Sequence, residues 1–333
     1  MRFFRRDQDT TDGDFWAWWA SAREPIATGI TSGGIDDRLV RQISDAVHRV
    51  HPNLAWELGP GRIAEHVFCV SPEGDAVLRI VALRWLEGAP APDATWEYAA
   101  SRQPSGPERL QVLQLGSIDV PLDDMRAIAG WDESRQVLDV KLWHPAFPSL
   151  PEQGRLQAAF LFLDNLLGED DVERWIGEIE VLEAPTGGRT PAELAAEVDR
   201  HRGDPVDDNW VLATGESRDG PVFVLANAGL KRIDHPFAEH HVAIRIPLDG
   251  LPDDAAAERL NAEEEDLLGR LTGAAIQAGR RTDVHGRTIH LVTADPDRAR
   301  AICQEWAAQL PERRIRIEVK RDPRWTFREE LGQ

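Results

Sequence analysis

The sequence predicts an α+β protein of two domains, residues 1–203 and 204–333, each a mainly antiparallel sheet with helices gathered on one face. Length is the first observation behind this: 333 residues are too many for one small core and comfortable for two. Composition is the second, because 42% hydrophobic and 29% charged residues are the proportions of ordinary packed domains. The third is element order. The first half reads helix, two strands, helix, strands, helix, strand; the second opens with strands and then alternates helix and strand.

Phe15, Trp18, Trp19 and Ala22 stand at i, i+3, i+4 and i+7, one face of a short helix with Asp14 as its N-cap. Such an aromatic run could anchor a membrane interface, but its neighbours are Asp12, Asp14 and a single Arg23 rather than a basic face, so it is read as packing on the domain. The turn Thr31-Ser-Gly-Gly34 and the pair Asp36-Asp37 open a second helix with Leu39, Ile43, Val47 and Val50 inward. A strand pair follows, Leu54–Leu58 and His66–Val70 around a Gly59-Pro-Gly61 turn, and then helix 75–87. Further strands are expected at Trp96–Ala100, Leu110–Leu115, Met125–Ala129 and Gln136–Trp143. Helix Leu156–Gly168 is apolar almost all round, which predicts burial on every side. Strand Ile176–Leu182 closes the half.

Pro185, Gly187 and Gly188 break the chain, and Thr190-Pro-Ala-Glu193 is a capping box with Pro at the first helical position. A boundary is placed within 200–209. Beyond it, Trp210–Thr214 and Val222–Ala226 flank an Asp219-Gly220 hairpin signal. Strand His241–Leu248, an acidic helix over 257–275, a strand or hairpin around His285-Gly286 ending in Thr288–Thr293, helix 297–309 capped by Asp295-Pro296, and strand Arg313–Lys320 complete the order.

Charge narrows the function classes. Thirty-eight Lys and Arg against 58 Asp and Glu give a net charge of −20, a surface that repels phosphate backbones. The basic stretch Arg313–Arg321 is interrupted by Glu318 and followed by Asp322, and is read as a solvated strand face, so no nucleic-acid partner is expected. Excess acidity suits a basic protein partner. Cys69 and Cys303 are far apart in apolar stretches and form no Cys-x-x-Cys pair, which points to buried free thiols. Neither a secretory signal nor a membrane-spanning run is visible, and a cytoplasmic location is expected.

The closing stretch Asp322-Pro-Arg-Trp325, set after a strand and followed by Phe327 and Leu331, resembles the end of the bacterial family called domain of unknown function 695. So do Trp210 opening a strand, the Asp219-Gly220-Pro221 turn and the acidic helix carrying Glu263–Leu268. The resemblance covers about 208–333. Phe15-Trp16-x-Trp18-Trp19 and Ala89-Pro90 with Trp96 look like the Trp-rich region that often precedes that domain. The resemblance implies a ferredoxin-like sheet and carries no activity with it. The family is also similar in pattern to a small acidic regulator that inhibits a bacterial ribonuclease, which is an analogy of fold.

Catalytic signatures are missing: the chain has no phosphate-binding loop, nucleophile elbow, H-E-x-x-H or EF-hand, and no cofactor is expected. One cluster has metal-ligand chemistry, Asp234-His235-Pro-Phe-Ala-Glu239-His240-His241, with His235, Glu239 and His241 as the candidate ligands. Neighbouring strand residues point to opposite faces, so His240 and His241 do not share one ion. His285 and His290 lack a nucleophile partner. The leading reading is a non-catalytic acidic binding or regulatory protein acting on a protein partner. The alternative is a metal-dependent hydrolase built on His235, Glu239 and His241.

Overall fold

A computed structural model describes residues 2–184, 187–202 and 209–332, with the backbone alone for 2–13. The chain divides into two compact units, Met1–Trp131 with Val137–Gly203, and Asp204–Gln333 with the turn Asp132–Gln136. Pro185 and most of the boundary expected within 200–209 lie outside the described residues.

The first unit opens with α1 (Arg2–Thr31), which is one long helix rather than a short one capped at Asp14. Phe15, Trp19, Ala22 and Ile26 form its buried stripe, and Pro25 lies within the helix on the exposed side. Next come α2 (Asp37–Val50), β1 (Ala55–Pro60), β2 (His66–Ser71), α3 (Ala76–Glu87) and β3 (Trp96–Ala99). The Asp36 carboxylate accepts from the Leu39 N–H at 2.8 Å and starts α2. β1 pairs antiparallel with β2, and β2 pairs parallel with β3 through the α3 crossover. One sheet face puts Phe68, Val70 and Trp96 into a core with Phe15, Trp19, Ile43, Val47 and Trp85. Stacked Trp16 and Trp85, 4.7 Å between centroids, extend that core, and the Trp19 indole N–H donates to Tyr98 Oη at 2.8 Å.

Two further sheets follow. A hairpin joins β4 (Val112–Leu115) and β5 (Ile118–Pro121), and a three-stranded sheet runs β6 (Arg126–Asp132), β7 (Val137–Trp143), β8 (Ile176–Val181). β7 and β8 are parallel because α4 (Glu152–Leu167) and α5 (Glu169–Trp175) carry the chain back between them. The single mainly antiparallel sheet expected here is therefore three small sheets, two of them with a parallel pair. Helix α4 buries Ala158, Ala159, Phe162, Leu163, Leu166 and Leu167 but leaves Phe160 50% exposed, so it is one-sided rather than buried all round. Both halves of the Thr190–Glu193 capping box form at the start of α6 (Pro191–His201).

The second unit holds one six-stranded antiparallel sheet, ordered β14 (Arg316–Arg321), β11 (His240–Pro247), β13 (Gly286–Thr293), β12 (Ile276–Asp283), β10 (Gly220–Asn227), β9 (Trp210–Ser217). Gly220, at φ +129°, makes the expected turn between β9 and β10. From β11 onward the order is strand, α7 (Asp254–Arg270), two strands, α8 (Pro296–Ala307), strand. Of the strand or hairpin expected around His285-Gly286, the hairpin forms, with β12 and β13 paired from Asp283 and Gly286; Gly279 and the adjacent arginines of β12 hide its apolar pattern. α7 and α8 cover one face, packing Leu260, Leu267, Cys303 and Trp306 on Val242, Ile244, Ile246, Ile289 and Leu291. The other face is closed by the C-terminal segment, with Trp325, Phe327 and Leu331 on Ala226, Leu230, Ala278 and Val292. No described helix is long and apolar enough to cross a membrane.

Candidate functional site

The face of the β1–β2–β3 sheet turned away from the aromatic core is the floor of a cleft of about 640 Å³. Directly paired residues share a face, so register places Glu57, Cys69 and Ala99 in one row and Gly59, Val67 and Glu97 in the next. The side chains along the middle of this floor are small, whereas the opposite face carries Trp56, Phe68 and Trp96. The walls come from residues 102–111 and from Leu161 and Asn165 of α4. Ser105 N–H donates to the Asn165 carbonyl at 2.8 Å and ties the two walls together.

Both floor carboxylates are already engaged. Glu97 is buried and accepts from the backbone N–H groups of Arg62, Ile63 and Ala64 at 2.7, 2.8 and 3.1 Å. Burial works to raise its pKa, but these donors together hold it below the usual carboxylate range. The tight loop requires Gly61, because a Cβ there would sit 2.5 Å from the Ala64 carbonyl oxygen. Glu57 takes Arg102 Nε at 2.9 Å, and the same guanidinium reaches Asp164 at 3.1 Å. Burial pushes the Asp164 carboxyl up to about 6 against the pull of Arg102. Behind the floor, Glu169 accepts from the Ser71 hydroxyl, Gly74 N–H and Arg102 N–H, and buried Arg79 pairs with Asp170 and Glu173. Cys69, buried beside Glu57 and Glu169, has its thiol pushed well up, which leaves it protonated and inert. Arg62 and Arg109 are exposed at the cleft and, among the described residues, their guanidiniums make no hydrogen bond or ion pair.

The histidine cluster is placed differently. Glu239 pairs with Arg321 at 2.6 Å. His241 Nε2 shares a hydrogen bond of 3.1 Å with His290 Nδ1, and the two rings stack with Phe327. His235 lies after a short 3-10 turn and lines a separate groove with Gly273–Ile276. Three candidate ligands thus turn to three different surroundings, and no group of three or more His, Cys, Asp or Glu among the described residues is arranged to hold a metal ion. Burial, helped by the charges of His290, Lys320 and Arg245, lowers His241 to about 3, and burial with Arg245, Arg281 and Lys320 lowers His290 to about 4, so both are neutral at pH 7. Asp322 and Trp325 form a clamp. The Asp322 carboxylate accepts from Thr326 Oγ1 and Phe327 N–H at 3.0 and 3.2 Å, and the Trp325 indole donates to the Ala238 carbonyl at 2.9 Å.

A second surface lies on the outer strands of the six-stranded sheet. Leu212 pairs with Leu225, and Phe223 with Thr214 and Thr282, all on the face that α7 and α8 cover further in. Here that face is open: Leu212 is 66% exposed, Phe223 40% and Leu251 40%, around a groove of about 260 Å³ that also takes in Leu225 and Pro252. Arg280 and Arg287 at its side both pair with Glu264, and the stretch that carries Leu251 into the start of α7 adds the exposed carboxylates Asp249, Asp253 and Asp254. Among the described strands β9 pairs with β10 and stands at the edge of the sheet.

Neither unit's geometry was evident from motifs. The signal for the cleft was Glu97, a carboxylate inside the apolar strand Trp96–Ala99, because a buried charge demands partners.

The described chain is thus a mixed α/β protein with a helix-backed antiparallel sheet in its C-terminal part and a tryptophan-rich aromatic core in its N-terminal part. Residues 208–331 match the model of a family of unknown function, DUF695. No curated protein and no solved structure matches the chain.

Proposed function

We propose that this is a non-catalytic regulatory protein that binds a basic protein partner, and that the outer strands of the C-terminal sheet are its docking surface. The observation that carries the reading is the uncovered apolar strip of Leu212, Phe223 and Leu251 beside the edge strand β9. An extended segment added to β9 would gain main-chain hydrogen bonds from the edge and place an apolar side chain in the groove. Asp249, Asp254 and the net charge of −20 would favour lysine and arginine in that segment and speed its approach.

The β11-α7-β12-β13-α8-β14 order, with β14-β11-β13-β12 as neighbours, supports reading residues 204–333 as a ferredoxin-like domain extended by the β9–β10 hairpin. In the same reading residues 1–203 are a separate domain.

The test is capture of the partner from the source cell, followed by a binding curve with both purified proteins. Leu212→Glu with Phe223→Glu should weaken binding by about tenfold or more, and added salt should weaken the parent complex. Unchanged affinity in the double variant would remove the docking surface, and a partner without basic character would remove the charge argument.

A further inference from the structure

The cleft of the N-terminal unit has a property that the docking reading leaves unused. Its floor is a sheet face on which Gly59, Val67 and Cys69 leave about 640 Å³ unfilled, while the other face of the same sheet is packed with aromatic rings. Every carboxylate that reaches the floor is satisfied from within the protein. Glu97 is held by three backbone N–H groups, and Glu57 by Arg102, which also holds Asp164. Two further charges line the cleft, both positive and exposed: Arg62 on the β1–β2 loop, whose charge also acts on Glu97, and Arg109 on the 102–111 wall; among the described residues neither guanidinium makes a hydrogen bond or ion pair. Guanidinium presents a planar fork of donors that matches the paired oxygens of carboxylate and phosphate.

We propose that this cleft binds a small organic anion bearing a phosphate or carboxylate group, with Arg62 and Arg109 gripping the anionic oxygens over the Gly59–Val67–Cys69 floor. The Arg62–Ala64 loop is fixed from beneath by Glu97, so the Arg62 backbone is set before the ligand arrives and the cost of ordering it is already met. The remaining polar lining, Gln103, Ser105 and Gln111, suits a ligand with hydroxyl groups rather than an apolar body.

The experiment is calorimetric titration of the full-length chain with inorganic phosphate, glycerol 3-phosphate and citrate, paired with thermal unfolding in each. At least one probe should bind saturably and raise the unfolding temperature. Phosphate-bearing probes binding alone would assign the site to phosphate, and citrate alone to carboxylate. Arg62→Gln with Arg109→Gln should weaken that binding by about tenfold or more and leave the unliganded unfolding temperature unchanged, since both side chains are exposed. Arg62→Lys with Arg109→Lys, which keeps the charge but not the fork, should fall between parent and Gln variant. Arg218→Gln, on the β9–β10 turn, should bind as the parent does. The proposal is overturned if none of the three probes saturates, or if both double variants bind as tightly as the parent.

Discussion

At the scale of single residues, the two buried histidines make the C-terminal sheet acid-sensitive. His241 and His290 titrate at about 3 and about 4 in the folded protein because burial penalises their charged forms, against about 6.5 in an unfolded chain. A folded pKa below the unfolded one means that the unfolded state binds more protons as the pH falls. The stability from the neutral pair is therefore complete above about pH 6.5 and is lost progressively below it. Denaturant titrations at about pH 7.5 and about pH 5 should differ by roughly 2–4 kcal/mol from these residues. The double variant His241→Phe, His290→Leu should flatten that dependence while remaining folded at neutral pH. Glu97 supports a second expectation. Glu97→Ala strips three backbone N–H groups of their acceptor, so amide exchange at Arg62, Ile63 and Ala64 should accelerate and stability should drop by about 1–3 kcal/mol. Little of this was legible beforehand. The sequence pattern put His240 and His241 on opposite strand faces, which agrees with Val242 facing the helices and His241 facing Phe327. Nothing local, however, announces that His290, far along the chain, is the partner of His241, or that Arg102 joins Glu57 to Asp164.

At the scale of elements, the signals that held are those written within one turn of backbone. Asp36, Thr190 and Asp295 each cap the helix that follows, because an N-cap involves only the next three residues. Thr190→Ala should destabilise α6 by about 1 kcal/mol, measurable as a shift in the denaturation midpoint of the full chain. Strand direction was not legible, because whether β3 lies parallel to β2 depends on the path of α3 and not on the residues of either strand. The length of α1 was missed for a related reason. The polar run before Asp14 lacks an apolar stripe, so its periodicity gives no helix signal. Within the helix Pro25 removes one backbone donor and crowds the preceding turn. Since it is exposed, Pro25→Ala should stabilise the first unit by about 1–3 kcal/mol, checked by thermal unfolding.

At the scale of the whole molecule, a charge of −20 acts against the compact state through self-repulsion. Raising salt from about 10 mM to about 150 mM shortens the screening length from about 30 Å to about 8 Å. The unfolding temperature should rise by about 2 °C or more over that range, and a fall would mean that the ion pairs outweigh the repulsion. The aromatic distribution has one more consequence, in the protein's optics. Of the twelve tryptophans, only Trp210, Trp306 and Trp325 belong to the second unit. The first unit thus holds nine of the twelve indoles, and the close stacking of Trp16 on Trp85 should couple their excited states into a paired band of opposite signs in circular dichroism. Loss of that band reports the melting of the α1 core alone, so the two halves of the chain can be followed separately in one cuvette without a label.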